Sequence, residues 1–144
     1  MSIAMPSLPH LAALALALTL AAPAVQAQVA VIVHPSNKAV IDDESIAKLF
    51  LGQIKTFPGG APATPIEQKN GSLAEEFHVQ VLNKPEKEVR KIWARNVFTG
   101  GLKPPTHLDD DEAVLQFVAN TPDAIGYVQA SKVNNKVKVL RKAP

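Results

Sequence analysis

The stretch EQKNGSLAEEF, residues 67 to 77, places polar side chains where a strand ends, a tight turn follows and a helix begins. The first backbone N–H groups of a helix have no partner inside it, and they lie at the positive end of the helix dipole. Such a point can hold an anion. The candidate ligand-binding residues around it are Gln68, Gly71, Ser72, Leu73 and Ala74.

The same stretch also fits a second interpretation. Ser72 and Glu75 have the spacing of a capping box, in which the two side chains satisfy the free N–H groups of the first turn. Glu75 and Glu76 would moreover bring two negative charges close to any bound anion. Ser72 is therefore either a helix cap or part of an anion site, and the capping signature favours the cap.

Other chemistry finds little support in the sequence. His34, His78 and His107 stand far apart and form no helical zinc pair. Residues 109–111 are three aspartates, but the rest of a calcium loop is missing, and first-turn helix charges explain them. Ser72 lacks the glycines of a nucleophile elbow, and the chain has no cysteine. We expect no enzyme, no metal site and no cofactor.

The N-terminal segment and the net charge indicate where the protein is located and which partners it does not bind. Residues 1–27 contain an apolar stretch followed by small residues, which predicts a signal peptide cleaved after Ala27. The alternative, a membrane anchor, is disfavoured by Pro23 and Gln26 within the uncharged run. We therefore expect a periplasmic or secreted protein, without a membrane span after cleavage, that forms one domain over residues 28–144. A net charge of +2 is too small to indicate nucleic acid binding.

Hydrophobic periodicity predicts the order β-α-β-α-α-α-β-β, which indicates a three-layer α/β domain with a partly parallel sheet. The segment 99–107 is predicted to be a break between helices, and Asp109 with Glu112 to open the last helix. Ligands of such sheets gather beyond the carboxyl ends of the strands. Ser36 and Asn37, which follow the first strand, are expected there beside Gln68, or else to form a simple turn.

Three stretches in order, IAKLFLGQIKTF, IEQKNGSLAEEF and TPDAIGYVQAS, resemble segments of the periplasmic phosphate-binding proteins of ABC transporters. The resemblance covers most of residues 29 to 131 and corresponds to the second lobe alone. It implies a three-layer α/β/α single lobe of a type II periplasmic-binding-protein-like fold with a mixed sheet. It also implies binding of phosphate or a similar oxyanion, and an ABC transporter, a second copy or a separate chain as partner.

The site residues depart from the family pattern. Gln68 occupies the position of an arginine that contacts phosphate in the family, and Leu73 and Ala74 replace glycine and threonine, whereas Gly71 and Ser72 persist. Losing a guanidinium removes a charged, bidentate grip on phosphate oxygens. Two functions therefore stand side by side: weak oxyanion binding at the helix start, or an accessory interaction module that has lost its ligand.

Overall fold

A computed structural model describes residues 2–5, 17 and 28–144 of the chain. The predicted signal peptide over residues 1–27, with its cleavage site after Ala27, lies outside the described residues except for 2–5 and 17, and it stays a prediction. No helix in the described part of the chain has both the length and the apolar composition that crossing a membrane requires.

Five strands and four α-helices make up the domain, and all of them lie within residues 28–144. In chain order they are β1 (Val29–Val33), α1 (Asp43–Phe50), β2 (Thr64–Gln68), α2 (Ser72–Gln80), α3 (Glu86–Gly100), β3 (Thr106–Leu108), α4 (Asp111–Asn120), β4 (Ala124–Gln129) and β5 (Lys138–Ala143). A short 3₁₀ turn, Ala130–Lys132, follows β4.

The five strands form one mixed sheet in the order β3-β2-β4-β1-β5. β2 runs parallel to both of its neighbours, β3 and β4. β1 runs antiparallel to β4 and to β5, with a register shift against β5 between Val31 and Ile32. The carboxyl ends of β2, β3 and β4 therefore meet at one end of the sheet, which we call the carboxyl end, whereas β1 finishes at the opposite end.

Strand β1 runs through the centre of the core, because all five of its residues are buried. Val29, Val31 and Val33 pack on one face of the sheet with side chains of α1, α2 and α3. Ala30 and Ile32 pack on the other face, against α4. The sheet thus lies between helices on both sides, which confirms the three-layer α/β/α fold with a mixed sheet.

Helix α3 is attached to the end of α1 by two side chains. Trp93 donates from Nε1 to the carbonyl of Phe50 at 3.0 Å, and Asn96 donates from Nδ2 to the carbonyl of Leu51 at 2.9 Å. Gly52 ends this turn with a φ of 73°, and a Cβ there would lie 2.7 Å from the Trp93 ring. The position therefore requires glycine, both for its backbone conformation and for the close approach of the indole.

Two local predictions were wrong. Segment 99–107 is not wholly irregular, because β3 begins within it, at Thr106, and pairs with β2 over three residues. So short and exposed a strand carries no hydrophobic alternation that a pattern could detect. The last helix is capped by Asp110 rather than by Asp109, since the Asp110 side chain accepts from the N–H of Ala113 at 2.9 Å.

Candidate functional site

The carboxyl end of the sheet brings together two helix starts. α2 begins four residues after β2 ends, and α4 begins three residues after β3 ends. Because β2 and β3 are parallel neighbours, both helices begin at the same end of the sheet. The backbone N–H of Lys69 donates to the carbonyl of Leu108 at 2.9 Å and so ties the two connecting segments together. This is the arrangement in which α/β sheets bind ligands.

The start of α2 has no side-chain cap. Gly71 is the N-cap residue, its backbone is extended, and the first intrahelical bond runs from the N–H of Glu75 to the Gly71 carbonyl at 3.1 Å. The prediction that Ser72 caps the helix was wrong, because a cap needs a non-helical backbone and Ser72 already belongs to the helix. In the described residues, the N–H groups of Ser72, Leu73 and Ala74 have no hydrogen-bond acceptor.

Gln68, the predicted polar contact for a ligand, is turned into the protein. It is 8% exposed, and its Nε2 donates both to Asp111 Oδ1 at 2.6 Å and to the carbonyl of Tyr127 at 3.1 Å. An amide nitrogen has two hydrogens, so both donors of the Gln68 side chain are in use. A ligand would have to displace one of these bonds to be held by Gln68.

At this end of the sheet, the carboxylates of Asp109 and Asp111 already pair with nearby hydrogen-bond donors and with a lysine. Asp111 Oδ1 accepts from the Gln129 backbone N–H at 3.2 Å as well as from Gln68. Lys69 forms an ion pair with Asp109, and this hydrogen-bonded carboxylate raises the pKa of the Lys69 ammonium. The donors that stay open at this end of the sheet, within the described residues, are thus the backbone N–H groups of the first turn of α2.

Ser36 and Asn37 do not belong to this site. The expectation that they lie beside Gln68 was wrong, because β1 runs antiparallel to β4 and so ends where β4 begins, with Val33 opposite Ile125. The two residues form the alternative, a turn: Ser36 Oγ lies 2.7 Å from His34 Nδ1, and Asn37 Oδ1 accepts from a backbone N–H two residues on.

A buried polar cluster joins the end of β2 to the last turn of α2 and to β4. Glu67 is 3% exposed, and its Oε1 lies 2.7 Å from Nε2 of His78 and accepts from the Tyr127 hydroxyl at 3.1 Å. The same hydroxyl accepts from the Gln68 backbone N–H at 3.2 Å. Burial raises the pKa of the Tyr127 phenol, and the charge of Glu67 raises it further. The phenol therefore stays protonated and holds the end of β2 in place.

Sequence reasoning missed this cluster, although one signal pointed to it. Glu67 lies in a short strand between Ile66 and Gln68, and in a three-layer domain both faces of such a strand are covered. A buried carboxylate requires partners, so Glu67 was a residue whose partners should have been sought. Among the residues described, no group of three or more potential metal ligands is arranged to hold an ion.

The fold of this chain is similar to the folds of several solved protein structures. The chain superposes with a TM-score of 0.63 and 20% identity on a protein described as a phosphate ABC transporter substrate-binding protein, with bound phosphate, from Clostridium perfringens. It superposes with a TM-score of 0.60 and 19% identity on PstS from Borrelia burgdorferi. An ABC-type phosphate transport receptor from Vibrio cholerae matches at 0.54 and 13%.

The chain has the fold of one lobe of these proteins. The matches cover 80%, 79% and 80% of this chain but 45%, 47% and 46% of the respective proteins, so the chain spans less than half of their length. This confirms the resemblance to a single lobe that the sequence motifs indicated. Neither a family model nor a curated protein matches the chain. Identities of 20% and below establish the fold and leave the ligand open.

Proposed function

We propose that this chain is an exported, non-enzymatic, single-lobe solute-binding protein that holds phosphate or a similar oxyanion weakly at the first turn of α2. The observation that carries the proposal is the uncapped start of this helix, where three consecutive N–H groups, from Ser72 to Ala74, lack an acceptor. Gly71 leaves the approach open, because the nearest atom to a Cβ built there is 3.9 Å away.

Binding by the lobe alone is weak for electrostatic reasons. A helix start attracts an anionic charge by about 0.3 to 1 kcal/mol when no cationic side chain assists. Here Gln68 stands in place of an arginine, and its amide is held by Asp111 at 2.6 Å. Glu75 in the first turn of α2 repels a second negative charge. These terms oppose each other and leave little net attraction.

A second lobe would complete the site. The chain covers 45% of the Clostridium perfringens protein, whose structure contains phosphate. We propose that a second copy, a separate chain or an ABC transporter covers the open start of α2 in the periplasm and supplies the charged contacts that this lobe lacks. Such a partner would bring the open hydrogen-bond donors of both chains together around one anion.

One observation favours a second candidate function, that of an accessory interaction module without a ligand. The carboxylate of Asp111 accepts from Gln68, the predicted ligand contact, and from the backbone N–H of Gln129. An internal carboxylate that satisfies these donors makes a bound anion unnecessary for the fold. On this account the lobe keeps its structure and contacts a protein partner.

Calorimetric titration at low salt separates the two candidates. We would titrate residues 28–144 with phosphate and then with sulfate, and expect weak, saturable binding of phosphate with a dissociation constant of about 1 mM or above, a standard binding free energy of at most roughly 4 kcal/mol. The Asp111→Asn variant keeps the shape of the side chain but removes the competing charge, so it should bind more tightly. Asp123→Asn, at the opposite end of β2, is the matched control and should bind like the wild type.

Gln68→Arg tests whether the geometry of the site is intact. A guanidinium at this position should strengthen phosphate binding at least about tenfold if the first turn of α2 faces the anion. Gln53→Arg adds the same charge at an exposed position and should change nothing. If Gln68→Arg binds phosphate and the wild type does not, the accessory function is supported. If neither folded protein binds, even with Asp111→Asn, the oxyanion site is refuted.

A further inference from the structure

The outward face of α3 carries a line of positive charges that ends in an exposed aromatic ring. Lys87, Lys91 and Arg95 follow each other at intervals of four residues, which places them on one line along the helix. Phe98 continues this line three residues later and is 94% exposed. We call these four residues the α3 stripe; it is about 16 Å long at 1.5 Å per residue.

The orientation of the stripe is fixed by the other face of the helix. Val89 is buried in the core, and Trp93 and Asn96 donate to the carbonyls at the end of α1. Because these residues hold α3 against α1, the stripe lies on the solvent-exposed side of α3, where its basic residues border a groove with Leu51 and Gln53. A charged, outward face of this kind does not contribute to the core, so packing does not explain the choice of its residues.

The charges of the stripe are not neutralised within the protein. None of Lys87, Lys91 and Arg95 takes part in an ion pair in the described part of the chain. The neighbouring Lys84 does, with Glu88 at 3.6 Å, which leaves the net charge of this face positive. The exposed Phe98 is equally without a partner, although a fully exposed ring of this size is unfavourable in water.

We infer that the α3 stripe docks the protein on an anionic lipid surface. Basic side chains gain attraction from anionic headgroups, and an aromatic ring at the end of the line can enter the interface between headgroups and acyl chains. A straight line of residues on a convex helix fits a flat surface. The same three basic residues also border a groove of about 780 Å³ beside α3, and the carboxylate of Glu88 in its lining would repel an acidic peptide seated there.

Vesicle co-sedimentation tests this inference with residues 28–144, which hold every described helix and strand and both core clusters; the apolar stretch before residue 28 would itself bind lipid. The probes are vesicles of phosphatidylglycerol with phosphatidylcholine, and vesicles of phosphatidylcholine alone. We expect binding to the first and at least about tenfold weaker binding to the second. A basic residue near an anionic surface is worth roughly fivefold in partitioning, so Lys87→Glu with Lys91→Glu and Arg95→Glu should reduce binding more than about a hundredfold.

Two further variants make the test specific. Lys38→Glu with Lys136→Glu and Lys142→Glu changes the net charge equally at exposed positions outside α3, and it should retain most of the binding. Phe98→Ser keeps the charges and should weaken binding about tenfold, as expected for loss of one buried aromatic ring. Circular dichroism should show that all forms are folded, since every substituted residue is exposed.

The inference would be overturned by any of three results. The wild type could fail to bind anionic vesicles, or the two triple variants could lose binding equally, which would indicate net charge alone. Sedimentation velocity could instead show self-association that Phe98→Ser abolishes, while vesicle binding is absent. That result would assign the stripe to an interface between copies of the chain.

Discussion

Two helices begin at the same end of the sheet, and they begin differently. α4 starts at Asp110, whose side chain accepts from the N–H of Ala113 and so closes the first turn. α2 starts at Gly71, which has no side chain to offer, and its first N–H groups stay open. Both helices carry acidic residues in the first turn. The N–H groups at the start of α4 are thus partly satisfied by a side chain, whereas those at the start of α2 are open, and the proposed anion site depends on this difference.

An uncapped helix must be held by packing, and α2 is held by Phe77. Its ring stacks on Tyr127 with centroids 3.9 Å apart and meets Phe50 edge-on at 4.7 Å. These contacts join α2 to β4 and to α1, and they hold the helix with its open first turn in position on the sheet.

The largest effect is therefore expected from Phe77→Ala. Removing a buried phenylalanine should cost about 3–5 kcal/mol in the free energy of unfolding, which urea denaturation measures. Hydrogen exchange should accelerate more in α2 than in α4. Leu115→Ala, a buried residue of α4, is the control and should reverse this order. Equal acceleration in both helices would contradict the proposed dependence of α2 on packing.

The next effect compares the two helix starts directly. Asp110→Ala removes the cap of α4 and should cost about 1 kcal/mol in the free energy of unfolding. Ser72→Ala should cost less than about 0.5 kcal/mol, because Ser72 makes no capping bond. Urea denaturation of both variants gives the comparison. If Ser72→Ala cost as much as Asp110→Ala, the α2 start would be capped after all.

A smaller effect should follow from closing the open start. The backbone of Gly71 is extended, which any residue adopts, and a Cβ there meets no atom nearer than 3.9 Å. Gly71→Asp should therefore place a cap on α2 and raise the free energy of unfolding by a few tenths of a kcal/mol, about 0.3. It should also abolish phosphate binding in calorimetry. If Gly71→Asp stabilised the protein but left phosphate binding unchanged, the anion site could not be the first turn of α2.

The smallest effect concerns pH and a third helix start. Asp42 caps α1, and hydrogen bonding first to the Ser45 side chain and then to the Ser45 backbone N–H lowers the pKa of the Asp42 carboxyl. A lowered folded-state pKa stabilises the fold above the unfolded value, near 3.9, and this contribution is lost as the pH falls through the folded value. Asp42→Asn keeps an acceptor without a charge. Its stability should fall less steeply than that of the wild type in acid titration monitored by circular dichroism.

The sequence predicted the layers but not the directions of the strands. Residues 29–33 read as a strand buried on both faces, which is correct, but such a run looks the same whether its neighbours are parallel or antiparallel. The misplacement of Ser36 and Asn37 followed from that ambiguity. Similarly, Ser72 and Gly71 differ by one position, and pattern reasoning locates a helix start no better than that.

The part of the site that sequence could not give depends on contacts between distant residues. Gln68 is held by Asp111, and Glu67 by His78 and Tyr127, at separations of 43, 11 and 60 residues. Motif matching aligned Gln68 with a ligand-contacting arginine but carried no information on where the shorter side chain turns. The direction of that side chain is a property of the packed core, and it decides how many donors a ligand finds.

The most direct test of the account is an NMR titration of residues 28–144 with phosphate, following backbone amides at both helix starts. We predict saturable chemical-shift changes at Ser72, Leu73 and Ala74, and much smaller changes at Glu112 and Ala113 in the capped first turn of α4. In Gly71→Asp the changes at α2 should vanish. Equal shifts at both helix starts, or none at Ser72 to Ala74, would contradict the claim that the open start of α2 is the ligand site.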